Sequence, residues 1–241
     1  MLIKTRGIVL NYLKYRETSI IARVYTEQRG VQSYIVNGVR KAKPPGRIAL
    51  FQPFTLLDMV AYVSPRGGLT RLSEFRCLHP FRTLPYDVRK SSVVLFLSEV
   101  VSRTLREEEE NPHLFEFLYR SIIAFDEQQS GFENFALLFL LNFSHYLGFG
   151  PDSGQQITEQ VAFATDVNLG STSRPTVLRF QEFEHFFDEL LQSDGSAPTS
   201  VPNGRVRREL LAILLRYYQL HVEGLGDIRS LDVLSEVLAE L

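Results

Sequence analysis

From Thr5 to Cys77, apolar and polar residues alternate in short runs rich in Val, Ile, Tyr and Thr, broken by Gly, Pro and charged turns. Side chains of a strand point alternately to its two faces, so this texture predicts about five β-strands. In Ser19–Thr26 the alternation sets Ile20, Ala22 and Val24 on one face and Ile21, Arg23 and Tyr25 on the other. The same period runs through Arg6, Ile8, Leu10 and Tyr12, through Gln32, Tyr34 and Val36, and through Arg71, Ser73 and Phe75. Arg and Tyr recur on what reads as the solvent face. Glu27 to Gly30 and Ser64 to Gly68 read as turns between strands, and Lys41 to Arg47 as a loop.

After Leu84 glycine becomes sparse and apolar residues recur at helical spacing, which marks a second domain of about six helices. Tyr86 to Glu107 carries Val93, Val94, Leu97, Val100, Val101 and Leu105 on one stripe. Asn111-Pro112 supplies a cap and a first-turn proline for a helix running through Leu114 to Phe125. Phe132 to Leu147 is apolar around most of its circumference and predicts a buried central helix, stopped by Gly148 with Pro151 beyond. Phe180 to Leu191, Arg205 to Val222 and Leu231 to Leu241 complete the set, and Ser193 to Gly204 is a polar connection. The expected organisation is a basic domain over residues 1–80 and a helical domain over residues 81–241.

Charge sharpens that division. The chain of 241 residues has a net charge of only −2, yet residues 1–90 hold 16 Lys and Arg against 5 Asp and Glu, a net of +11. Residues 91–241 hold 10 against 23, a net of −13. A compact domain at +11 attracts polyanions through counterion release and long-range steering, so a nucleic acid is the first partner to consider. The competing reading is that the two halves neutralise each other across an internal interface. Nothing in the N-terminal residues resembles an export signal, and no run approaches the roughly 18 apolar residues of a membrane span. A cytoplasmic location, with no membrane partner, is therefore expected. The single cysteine, Cys77, leaves no disulfide framework or multi-cysteine zinc cluster to build.

The sharpest local feature is Gly38 to Arg47, where Arg40, Lys41, Lys43 and Arg47 lie within eight positions on an apparent loop. Flexible cationic side chains can follow a phosphate backbone without reading bases, and Tyr12, Tyr15, Tyr25 and Tyr34 offer faces on which unpaired bases could stack. Together they point to single-stranded DNA. Catalysis finds little support. His79, His113, His145, His185 and His221 are scattered singly, and no phosphate-binding loop, nucleophile elbow or dinucleotide-binding turn is present. The carboxylates of Glu107 to Glu110 point in different directions from one turn and read as a solvated face. No enzyme activity, cofactor or metal is expected.

Several short segments resemble, in order and spacing, the RecO family of DNA repair proteins over essentially the whole chain. They are Thr5-Arg-Gly-Ile-Val-Leu10, Tyr15-Arg-Glu-Thr-Ser19, Gly38 to Lys43, Leu50-Phe-Gln-Pro-Phe54, Asn142 to Pro151, Tyr217 to His221 and Arg229 to Val237. The resemblance implies an α+β architecture, an N-terminal OB-fold β-barrel followed by an α-helical bundle. It implies DNA binding and annealing of complementary strands without nucleotide hydrolysis, on single-stranded and double-stranded DNA, close to the nucleoid. It implies work with RecR, contact with the acidic C-terminal tail of SSB, and help to RecA in replacing SSB. It adds Lys14, Arg16 and Arg23 to the four loop cations as candidate DNA contacts. For the SSB tail, an apolar slot flanked by Arg120 or Arg216 is the chemically reasonable receptor. Many relatives carry a four-cysteine zinc module after the Leu-Gly-Phe position. Residues 152–177 contain no cysteine, so a small zinc-free insertion near 151–178, with strand character over Val161 to Asn168, is expected instead. An RNA-binding OB-fold protein, or an interaction scaffold that does not touch DNA, are the alternatives.

Overall fold

The structure, a computed structural model, describes residues 2–40, 46–62, 68–106, 109–169, 180–193, 201 and 203–239. It divides into two compact units, Met1–Glu127 and Gln128–Leu241. The first unit opens with five strands: β1 (Leu2–Tyr15), β2 (Ser19–Thr26), β3 (Gly30–Val36), β4 (Leu56–Tyr62) and β5 (Thr70–Cys77). They close into a barrel in the order β1-β2-β3-β5-β4, with β4 returning to β1. All pairs are antiparallel except β3 with β5, which is the OB-fold arrangement. Among the described residues seven α-helices follow, so the fold class is the one the sequence leads to.

Alternation puts Val9, Ile20, Val24, Tyr34, Val36 and Met59 inside the barrel. Gly7 lies where the interior is tightest, since a Cβ there would come within 2.7 Å of both Met59 Sδ and Val24 Cγ1. A register shift between Val9 and Asn11 turns Asn11 outward, where its amide donates to Ser102 Oγ at 2.6 Å. The same shift packs Tyr12 against the interior.

Part of the barrel's outer face is also buried. Leu56, Ile8, Tyr25 and Val31 form one cross-strand row, and all four are sealed from solvent. The cover is supplied by α1 (Val88–Thr104), packed on β1, and α2 (Pro112–Glu127), whose Phe115 ring lies 6.0 Å from that of Tyr25. Asn111 caps α2 as its sequence promised, its Oδ1 accepting from Leu114 N–H at 3.0 Å. Arg6 clamps barrel to helix. Its guanidinium donates to Glu27 at 2.7 Å and Glu116 at 3.3 Å, and lies 5.0 and 4.8 Å from the rings of Phe115 and Tyr119. Those carboxylates, Glu27 foremost, hold its pKa above the ordinary arginine value.

A buried knot fixes where the helices start and end. The Asp126 carboxylate accepts from the backbone N–H groups of Arg82, Thr83 and Leu84 at 2.8–3.1 Å. Lys90, only 1% exposed, donates from Nζ to Thr83 Oγ1 at 2.7 Å and to the carbonyls of Phe125 and Asp126 at 2.8 and 3.1 Å. Burial pushes the Asp126 carboxyl up, but the three N–H donors and the Thr83 hydroxyl more than offset it, leaving the group below its usual value. Burial pulls the Lys90 ammonium down, partly opposed by Asp126.

The second unit comprises α3 (Phe135–Tyr146), α4 (Gly154–Leu169), α5 (Glu184–Gln192), α6 (Gly204–His221) and α7 (Ser230–Ala239). α3 is the buried apolar helix its composition predicts, and the Tyr218 hydroxyl of α6 donates to its Leu140 carbonyl at 2.6 Å. Gly148 at φ 83° ends it, with Phe149 N–H returning to Ser144 O at 3.1 Å. The strand expected over Val161 to Asn168 is instead part of α4. Ile157, Val161 and Ala162 lie on one buried helical face, and packing of α4 against α5 and α6 overrides the local β-branched texture.

Two outcomes check these contacts. Gly154→Ala would place a Cβ 2.2 Å from the Glu184 backbone carbonyl, which cannot rotate away, so unfolding free energy falls by about 2 kcal/mol or more in urea titration. Asp126→Ala strands the three backbone donors and costs about 3 kcal/mol. Because its folded pKa lies below the unfolded value of about 3.9, the Asp126 contribution is present above that pH and lost as pH falls through the folded pKa. The acid limb of stability in Asp126→Asn is correspondingly flatter.

Candidate nucleic-acid interface

One end of the barrel collects cations from separated segments. The β1–β2 turn carries Lys14 and Arg16, both exposed, with Arg16 at φ 49° and its guanidinium 5.1 Å from the Tyr15 ring centroid. The chain leaving β3 comes back to this turn. Arg40 donates its backbone N–H to Thr18 O at 3.0 Å and its Nη1 to Arg16 O at 3.1 Å, while Ser19 Oγ donates to Asn37 Oδ1 at 3.0 Å. Gly38, at φ 71°, permits the reversal. Lys14, Arg16 and Arg40 thus share a rim, although 24 positions separate the last two in sequence. Lys41 and Lys43 lie outside the described residues. Arg47 opens a 3₁₀ turn (Arg47–Phe51), is exposed, and rests 4.8 Å over the ring of Phe75.

The remaining sequence candidates are not presented to solvent in the way alternation suggested. Arg23 is half-buried and donates to the Leu105 carbonyl at the end of α1 at 2.8 Å. Burial and the nearby Arg106 lower its pKa. Tyr25 is 3% exposed under α2, and Tyr34 is 2% exposed inside the barrel. Burial pushes the Tyr34 hydroxyl up to about 12. Tyr12 packs half-buried on the interior cluster. The expected stacking faces of these three tyrosines are therefore corrected: the closed barrel takes one face of each strand inside and helices cover part of the other, so neither parity of the alternation guarantees exposure. A register shift between Val60 and Ala61 of β4 likewise turns Phe75 inward, onto Phe51 at 4.9 Å, rather than leaving it beside Arg71.

Arg71, which alternation sets on the solvent-facing side of its strand, is not among the candidate contacts named from the sequence. It is exposed on β5 and sits across from Ile35 in the parallel β3–β5 pair. Its neighbour in sequence, Arg76, is engaged instead with Asp58 at 2.6 Å, which Lys4 also approaches at 3.7 Å. Only the parallel strand pairing, invisible in local alternation, brings Arg71 to the side of the barrel that carries the rim.

With this geometry in hand, comparison with known proteins is direct. Residues 1–81 match the model of the recombination protein O N-terminal region, and residues 85–159 that of its C-terminal region. The DNA repair protein RecO of Phocaeicola vulgatus is 37% identical over 243 positions, covering 99% of this chain and all of that protein. Those of Flavobacterium psychrophilum and Bacteroides fragilis are each 35% identical, over 99% and 98% of this chain and 100% and 99% of their own lengths. The chain belongs to the RecO family of DNA repair proteins.

Within the RecO family frame, the N-terminal model coincides with the barrel, whereas the compact unit extends on through α2. Among the described residues, no helix is long and apolar enough to cross a membrane.

The different settings of the arginines predict different phenotypes. Arg23→Ala, which leaves the Leu105 carbonyl without its charged donor, lowers unfolding free energy by about 1.5 kcal/mol. Arg16→Ala, at an exposed turn, changes it by no more than about 0.5 kcal/mol. Parallel thermal melts distinguish the structural cation from the free one.

Proposed function

We propose that this RecO-family chain binds single-stranded DNA through the cationic rim of its OB barrel and anneals complementary strands, without nucleotide hydrolysis. The observation that carries the reading is the fastening of Arg40 to the β1–β2 turn, which gathers Lys14, Arg16 and Arg40 on a domain whose first 90 residues carry a net charge of +11. Such donors contact phosphates irrespective of sequence. Neutralising two strands on one surface reduces their mutual repulsion, and annealing needs no chemical step. Arg47 opens the 3₁₀ turn on the connection from β3 to β4, Lys41 and Lys43 precede it in the sequence, and duplex DNA is bound through phosphate contacts of the same kind.

In the cell the protein acts in the cytoplasm on gapped DNA, works with RecR and helps RecA replace SSB. Of the two arginines considered for the acidic, hydrophobic-ended SSB tail, Arg120 is paired with Glu116 at 2.6 Å. Arg216 lines a cavity of about 1020 Å³ in the second unit, among Val161, Ile213, Leu220 and Ile228, with Arg229 and the acids Glu209, Asp227 and Asp232 also on its wall. This favours Arg216, through a mainly apolar slot in which Arg216 and Arg229 are offset by three acids rather than a broadly basic one.

Fluorescence anisotropy with a labelled strand of roughly 30 nucleotides tests the central claim. Binding weakens steeply from low to moderate salt. The variant combining Arg40→Ala, Lys41→Ala and Lys43→Ala loses about two units of the log–log salt slope, because each lost phosphate contact on a single strand accounts for about 0.7. Absence of salt-sensitive binding in the unaltered protein would leave the scaffold reading in its place.

A further inference from the structure

The outer face of the barrel has a second apolar row that, among the described residues of this unit, neither α1 nor α2 seals. In the β1–β2 pair Leu13 lies opposite Ile21, in β2–β3 Ile21 lies opposite Ile35, and in β3–β5 Ile35 lies opposite Arg71. All four point outward, because Tyr12, Ala22, Tyr34, Val36 and Leu72, of opposite parity, pack the interior. The row is the counterpart of Leu56–Ile8–Tyr25–Val31, which α1 and α2 bury. Here Leu13 is 68% exposed, Ile21 and Ile35 are partly exposed, and Arg71 is exposed. Between the two rows runs Asn11–Arg23–Ser33, where Asn11 meets Ser102 and Arg23 meets the last carbonyl of α1. The helical cover ends at that line.

Three aliphatic side chains aligned across a sheet, Leu13 open to solvent and Ile21 and Ile35 partly so, constitute a surface prepared for an apolar partner. Its borders identify the partner's charge. Lys14 and Arg16 follow Leu13 directly, Arg40 is fastened to the same turn, and Arg71 closes the far end of the row. Glu17, exposed in that turn, is the acid nearest to these cations in sequence. An apolar floor within a cationic border fits a polyanion that also carries flat apolar faces. An unpaired nucleic-acid strand has both, whereas a duplex hides its base faces in the stack and offers mainly phosphates.

We propose that the Leu13–Ile21–Ile35 row receives the faces of unpaired bases while Lys14, Arg16, Arg40 and Arg71 hold the flanking phosphates, so that this row makes the site prefer single strands to duplex. The inference rests on the reading that the rim binds DNA, and it assigns the strand preference to aliphatic residues in place of the tyrosines that alternation had suggested. Contact with an aliphatic row involves no base-edge hydrogen bonds, so the preference is independent of sequence. Base contact releases no counterions, so it adds affinity without adding to the salt slope.

The test compares three ligands of equal phosphate number: a mixed-sequence single strand, the same strand with abasic sites at its central positions, and the matched duplex. The unaltered protein binds the intact strand about fivefold or more tighter than the abasic strand. In Leu13→Ser combined with Ile35→Thr, both of which keep an outward strand position that tolerates polar residues, intact and abasic strands bind alike. Duplex affinity and the salt slope stay as they were. Thermal melting checks that the variant is folded, and the abasic comparison on the unaltered protein stands even where the variant is not. Equal binding of intact and abasic strands by the unaltered protein overturns the proposal while leaving DNA binding by the rim intact. So does a variant that weakens strand and duplex together, or one that changes neither, which would assign the row to a protein partner. Failure of the unaltered protein to bind any of the three ligands overturns the underlying reading as well.

Discussion

The carboxylate of Asp126 faces three successive backbone N–H groups of the segment that leaves the barrel, at the last turn of α2. Lys90, one turn into α1, donates to the same corner from the other side. Neither ion would survive burial alone, and together, with every donor and acceptor satisfied, they define where the barrel's exit, the start of α1 and the end of α2 must meet. Because the helices are pinned at that corner and clamped again by Arg6 to Glu27 and Glu116, their position over β1 and β2 is not adjustable. What they cover and what they leave open follow from this constraint.

The division of the sheet into a covered and an uncovered half is the functional consequence. Where α2 lies, Ile8 and Tyr25 contribute to a second core, and Arg23 is spent on a helix-terminal carbonyl. Where α1 ends, the sheet returns to solvent with an aliphatic row and a cationic rim. A single-strand binding surface needs phosphate donors at the edge and an apolar floor, and an OB barrel provides both only on the part of its wall that other elements do not occupy. The same residue type therefore divides into packed and solvent-facing members by position alone: Arg23 against Arg16 and Arg71.

Sequence pattern anticipated much of this. Strand alternation located four of the five strands and left β4 unplaced, helical periodicity located six of the seven α-helices among the described residues, and Asn111-Pro112 and Gly148 marked helix ends that the structure reproduces. Helix α4 was missed because Val161, Phe163, Thr165 and Val167 alternate in a way that also suits a strand, and only burial of Ile157, Val161 and Ala162 at helical spacing resolves it. Local texture loses when a longer-range packing face is available.

Composition and order alone determined that the chain joins a basic β domain to acidic helices, that its first 90 residues carry a net charge of +11, and which family its segments resemble, since net charge and periodicity are sums over local residues. Tertiary structure decided which of those residues face solvent. Alternation distinguishes two faces of a strand, but whether a face opens to water depends on barrel closure, on two register shifts and on helices that arrive from far along the chain. Those are long-range events, and for that reason Tyr34 is core, Tyr25 lies under a helix, Arg40 joins Arg16, and Leu13 is open to solvent.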